Sequence, residues 1–172
     1  MYSIVYGLLY VLSLLPLRVL FLLSDLAYGV LYYIVGYRKK VVYFNLSVAF
    51  PLKTAEERKA IAKRFYRNFT DNFIETIKLL SADAAFINKH FTADYSAFHK
   101  VYEQGKKSQI HTGHNFNWEL ANLAIAANIN QKLLTVYMPI ETPVFEKLFL
   151  KLRTKTGAAL LPATKIRSSI LP

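Results

Sequence analysis

Cysteine is absent from the chain, so disulfides and thiolate metal sites are excluded and the redox compartment leaves no mark. Acidic residues are scarce: 11 Asp and Glu stand against 22 Lys and Arg, a net charge of +11. That imbalance favours anionic partners, whether phospholipid headgroups, nucleic acid or an acidic carrier protein. Charge of either sign is missing from residues 1–17. So are a basic leader and a small-residue cleavage site, which argues against a cleaved signal peptide. Repeats, low-complexity tracts and Gly/Ser linkers are lacking too. A length of 172 residues then fits one domain with an appendage.

What the chain has is apolar and aromatic. Hydrophobic residues make up 53%, and 12 Tyr and 12 Phe suit packing at a lipid–water interface. Basic nucleic-acid binders rarely open on a long uncharged apolar run, so membrane is the expected partner and nucleic acid is not. Residues 1–37 form a membrane-seated apolar segment in this reading, and 38–172 the domain that follows. Residues 2–15 are short for a perpendicular span, which needs about 20 residues. Pro16 disfavours helical geometry at Leu15 and predicts a break there. Two seatings fit. One is a kinked helix or helical hairpin in a single leaflet. The other is one tilted span through residues 19–37, with Arg18 and Asp25 facing protein. The plain alternative is a core helix of a soluble protein. Arg38, Lys39 and Lys40 follow directly; they place this side toward the cytoplasm and suit anionic headgroups.

Residues 41–50 are semi-apolar and end at Pro51. Thr54 and Glu57 form a capping-box pattern that opens a long helix. Along it Ile61, Phe65, Phe69, Phe73 and Ile77 recur every four residues and read as the core-facing stripe. Residues 81–104 read as one or two short helices, with His90 and His99 in packing or surface roles. From Gly105 the pattern alternates. A short strand is expected over 108–112, a helix over Trp118–Asn128 and a strand over 132–137. A helix over 143–156, a strand over 158–161 and a helix start over 164–171 follow. This β-α-β-α-β order argues for an α/β fold with a parallel sheet and packed helices.

Chemistry concentrates at 113–119, which holds the single tryptophan. His114 and Glu119 are five residues apart, about 140° around a continuous helix, too divergent to share a face. They meet only if His114 lies on the turn before the helix and Glu119 in its first turn. Gly113 gives that turn its freedom, and Asn115 or Asn117 can cap the helix. An imidazole oriented by a carboxylate is a general-base unit. No serine or cysteine adjoins it, so direct attack by an acceptor hydroxyl on an acyl donor fits better than a covalent intermediate. The bland reading is a chance His–Glu spacing with Trp118 as a packing anchor. No metal-ligand set is recognisable, and no cofactor is expected.

Several stretches together resemble the lysophospholipid-acyltransferase-like superfamily, and within it the bacterial lipid A (Kdo-dependent) late acyltransferases. Arg38 to Leu46 followed by Phe50-Pro51 is similar to that branch's segment after its membrane helix. His114 to Glu119 matches the H-x4-[DE] motif, with Asn117-Trp118-Glu119 in the branch's usual form. Tyr137, Pro139, Phe145, Arg153 and Gly157 fall where the branch has its second block. Phe116 and Met138 depart from it, standing where Gly and a cation are common. The resemblance implies an acyltransferase-type α/β domain on the cytoplasmic face of the bacterial inner membrane. It implies transfer of a fatty acyl chain from acyl-carrier-protein thioester, as co-substrate, to a hydroxyl of a lipid A precursor. His114 is then the base and Glu119 its orienting partner, while Arg153, Asn117 and Trp118 contact substrate. Arg153 reads equally as a helix-terminal cation beside Gly157. Members of the branch run longer, so the chain is expected to hold the N-terminal part of such a domain. Two other functions fit the residues: a non-catalytic, basic, membrane-bound lipid-binding fragment, or a glycerolipid acyltransferase using a smaller acceptor.

Overall fold

The computed structural model of the protein describes residues 1–113 and 117–166. In chain order the elements begin with α1 (Tyr2–Ser13) and α2 (Leu17–Gly29), which runs on into a π-helical turn (Val30–Val35). Then come α3 (Lys39–Ala49), α4 (Ala55–Lys78), α5 (Ala84–His90), α6 (Ser96–Glu103) and α7 (Trp118–Asn128). The segment from β1 (Leu134–Tyr137) through α8 (Pro143–Arg153) to β2 (Ala159–Pro162) ends in a 3-10 turn, Ala163–Lys165. The chain is therefore mostly helical with a small parallel sheet. Two compact units emerge: Met1–Leu14 with Lys78–Pro172, and Leu15–Ile77.

In the unit Leu15–Ile77 the helix break falls where Pro16 requires it, between the end of α1 and the start of α2. The π-helical turn stops at Gly36, whose φ of +64° is a left-handed stop that favours glycine. The capping box forms as its spacing demands. Thr54 Oγ1 accepts from the Glu57 amide at 3.2 Å, and the Glu57 carboxylate accepts from the Thr54 amide at 2.7 Å. That backbone bond, helped by Lys53, holds the Glu57 carboxyl below its usual range.

The expected core stripe of α4 is one residue out of phase. Ala62, Tyr66, Thr70 and Ile74 are buried, whereas Phe65 and Phe73 are exposed. The inner face meets α2 running antiparallel. Ser24 donates to Asp71 at 2.6 Å, Arg67 lies 3.4 Å from Asp25, and Tyr32 packs edge-on against Tyr66. That face carries Tyr66 and the polar groups that meet α2 and the turn after it. Phe65 stacks on Phe69, which is half-buried against Tyr37, and Phe73 meets Phe69 edge-on.

In the other unit, β1 and β2 pair in parallel with Leu134 opposite Ala159 and Tyr137 opposite Pro162. The crossover is α8, giving the β-α-β unit read from the pattern. Leu79, Leu80, Ile87, Leu123, Leu148 and Leu152 form the core beneath it. Lys155 anchors the segment 79–82 to this core, its ammonium donating to the carbonyls of Leu79, Leu80 and Ala82. Burial lowers the pKa of that ammonium. His90 stacks on Phe86 and His99 reaches the Asn128 carbonyl, both packing roles as expected. The strand expected over 108–112 does not form. Only Ile110 there is even half-buried, so the segment has no apolar face to dock and no ladder to join. The helix expected over 143–156 stops at Arg153, and Gly157 takes a φ of +98° on the way into β2. Of the helix start expected over 164–171, residues 167–171 lie outside the described residues.

Candidate active site

Helix α7 starts where the sequence says it should. Asn117 is its N-cap, its side-chain oxygen accepting from the Leu120 amide at 3.1 Å. This fixes Glu119 in the first turn, where a carboxylate is favoured by the unpaired amides of the helix start. Trp118 beside it keeps a substantially exposed ring. His114, Asn115 and Phe116 lie outside the described residues.

Glu119 is buried and points at the end of α8, 34 residues along the chain, where Arg153 is the last helical residue. The guanidinium grips the carboxylate through two nitrogens. Nε donates to Oε1 at 3.1 Å and to Oε2 at 3.0 Å, and Nη2 donates to Oε1 at 2.6 Å. Both side chains are sequestered, with 6% of Glu119 and 14% of Arg153 exposed. Forked geometry of this kind is the strongest form of the pair, and burial makes each partner depend on the other. A carboxylate offers about four acceptor directions. Among the described residues, the pair engages both oxygens of Glu119.

Arg153 is itself clamped. Its guanidinium lies 5.1 Å from the Phe149 ring centre and 5.6 Å from that of Tyr137, at cation–π distances. Tyr137, the last residue of β1, donates to Glu146 at 3.0 Å, and Glu146 also accepts from the Ile140 amide at 2.8 Å. Burial, reinforced by Glu146, pushes the Tyr137 phenol up, so it stays a neutral donor. Asn122, one turn after Glu119 on α7, donates to the Arg153 carbonyl at 2.9 Å and accepts from Thr135 of β1 at 2.6 Å. Thus α7, β1 and the end of α8 are locked around one ion pair.

Of the residues singled out in the sequence, Glu119, Arg153 and Tyr137 come together, with Asn117 and Trp118 adjoining on α7. Asn122, Thr135 and Glu146 escaped sequence reasoning. Asn122 left a trace, since an amide inside an apolar helix must find partners when half-buried. Thr135 and Glu146 left none. Among the described residues no group of three His, Asp or Glu gathers as a metal site would require.

The parallel β-α-β unit with helices packed on it is an α/β arrangement. The sequence matches the family of bacterial lipid A biosynthesis acyltransferases over residues 1–171. The chain belongs to that family, and the enzyme it describes is an acyltransferase acting on a lipid A precursor. Searches of curated proteins and of solved structures return no match.

Proposed function

We propose that the protein moves a fatty acyl chain from acyl-carrier-protein thioester to a hydroxyl of a lipid A precursor, with His114 as general base. The acceptor O–H gives its proton to the imidazole as its oxygen attacks the thioester carbonyl. The tetrahedral oxyanion then collapses, the carbon–sulfur bond breaks, and the leaving thiolate takes the proton back from the imidazolium. Glu119 orients the base by accepting from its second ring nitrogen and steadies the imidazolium. The supporting observation is the state of Glu119. It is ionically paired and fixed at the helix start, five residues past His114 in the sequence. Amides of the same helix start suit the oxyanion.

In this reading Arg153 chiefly positions Glu119, and its Nη1, which takes no part in the pair, serves a substrate phosphate. Asn117 and Trp118 line the acceptor side, the exposed indole offering a flat apolar wall. The basic surface, +11 in all, suits an acidic carrier protein and anionic membrane lipids. The working location is the cytoplasmic face of the inner membrane.

The test is acyl transfer from labelled acyl-carrier protein in membranes bearing the His114→Ala protein, with the acylated lipid identified by mass spectrometry. Turnover is expected to fall by about 10²–10⁴-fold, the usual worth of general-base catalysis. Emission from Trp118, the only tryptophan, should stay unchanged and report intact folding. Undiminished turnover overturns the assigned base, and acylation of a small glycerolipid in place of a lipid A precursor overturns the acceptor.

A further inference from the structure

The unit Leu15–Ile77 contains a cavity whose lining residues take no part in the acyl-transfer chemistry above. It lies between α3 and α4 and has a volume of about 270 Å³. We infer that it binds one acyl chain of an anionic glycerophospholipid, with Arg38 holding the lipid's phosphate.

Two helices supply the walls. Val41, Val42 and Asn45 face the cavity from α3, and Phe65, Tyr66 and Phe69 from α4. Tyr37 and Arg38 line it where α3 begins. These walls are held in place before any ligand arrives. The buried Tyr66 donates its phenol to the Tyr37 carbonyl. The Tyr37 ring stacks on Phe69 at 6.3 Å between centres, and Phe69 on Phe65 at 6.0 Å. A hydroxyl–hydroxyl bond of 2.9 Å between Tyr32 and Tyr43 ties α3 to the turn before it.

Size and lining choose the occupant. Sites for small molecules begin at about 300 Å³ and are mostly apolar, with a few polar groups that fix orientation. This cavity stands at that lower edge, with room for a stretch of one chain and not for a sugar-bearing lipid. Val41, Val42, Phe65 and Phe69 present hydrocarbon, which favours methylenes over water. A chain seated there also covers Phe65, which packing within the protein leaves exposed.

Arg38 supplies the place for an anion. Among the described residues its guanidinium takes no hydrogen bond, ion pair or ring contact. It is also the one described non-glycine residue in a left-handed conformation, with φ +50°. Strain of this kind gathers at ligand sites. No carboxylate occurs between Asp25 and Glu56, so nothing nearby along the chain offsets Arg38, Lys39 and Lys40. Arg38 stands three residues past Leu17–Val35, the one helix among the described residues long and apolar enough to cross a membrane. With that helix in a bilayer, Arg38 falls at headgroup depth, where phosphate and acyl chain are both within reach. A zwitterionic headgroup brings its own cation and is attracted less.

The test is mass spectrometry of the intact full chain in nonionic detergent, titrated with phosphatidylglycerol and separately with phosphatidylcholine. One phosphatidylglycerol is expected to be retained in preference to phosphatidylcholine. Val41→Trp overfills the cavity from the exposed side of α3 and should weaken retention by about tenfold or more. Leu52→Trp, on a fully exposed residue of the same unit, should leave retention unchanged. Arg38→Gln should cost about fivefold, the worth of one cation against anionic lipid, and remove the preference over phosphatidylcholine. Circular dichroism verifies that each variant is folded. Equal retention of both lipids by the parent overturns the inference, as does parent-like retention in Val41→Trp. So does displacement of phosphatidylglycerol by a lipid A precursor at matching concentration, which would make the cavity an acceptor site. No arm reads acyl transfer, so the outcome is separate from the roles of His114 and Glu119.

Discussion

Glu119 and Arg153 illustrate what burial does to a single ion pair. In water such a pair is worth little, because solvent screens it and two side chains lose freedom. Here both groups are sequestered, and the fork geometry meets most of their hydrogen-bonding needs. Removing one partner strands the other as an unpaired buried charge, a loss of about 3–5 kcal/mol. Arg153→Ala is therefore expected to destabilise the protein by that amount in thermal unfolding followed through Trp118 fluorescence. Arg153→Lys should recover only part of it, because an ammonium cannot form the fork and stacks less well on Phe149 and Tyr137. Equal stability of Arg153→Ala and the parent would mean that the pair contributes nothing. Sequence reasoning found each residue but not the bond between them. A residue five positions from a histidine is a local pattern, whereas a partner 34 positions away is chosen by how α7 and α8 pack.

Helix α4 carries the lesson for elements. Its length, capping box and period of four were legible, since each follows from hydrogen bonding within a few residues. Its phase was not. Two stripes one residue apart, Phe65-Phe69-Phe73 and Ala62-Tyr66-Thr70, are both compatible with an amphipathic helix, and apolar content favoured the wrong one. Tertiary packing buried the face that carries Tyr66 and Thr70. Tyr66→Ala should accordingly cost about 3–5 kcal/mol, as for other fully buried aromatics. Phe65→Ala and Phe73→Ala should each fall within about 0.5 kcal/mol of the parent in detergent-solubilised unfolding. The reverse order would restore the phenylalanine stripe as the core face. The strand expected over 108–112 failed for a related reason: a strand needs a neighbour's ladder and a buried face, and neither is encoded in five residues.

At the scale of the molecule, charge and apolar surface act together. With a net charge of +11 and cations at both ends of Leu17–Val35, membrane affinity is expected to depend on headgroup charge. Each such cation near an anionic surface contributes about 1 kcal/mol. Combining Arg38→Gln with Lys40→Gln should weaken partitioning onto vesicles rich in anionic phospholipid by roughly 30-fold, about 2 kcal/mol. Binding to vesicles of zwitterionic lipid alone should hardly change. An equal loss on both kinds of vesicle would show that the residues matter for folding and not for headgroup attraction. Raising salt to about 1 M shortens the screening length to about 3 Å and should mimic the double substitution.

The sequence by itself determined the α7 boundaries, with Asn115 or Asn117 as its cap, the break at Pro16, the Thr54–Glu57 box and the β1–α8–β2 unit. It also carried the ordered motifs that mark the acyltransferase family. All of these rest on interactions between residues a few positions apart, or on a crossover whose length the pattern states. Only the tertiary structure decided which face of α4 is buried, which cation holds Glu119, and that α1 shares a unit with α8. Those depend on contacts between residues tens of positions apart. Such contacts are settled by shape, by burial and by the cost of leaving a charge unpaired, none of which a local pattern encodes.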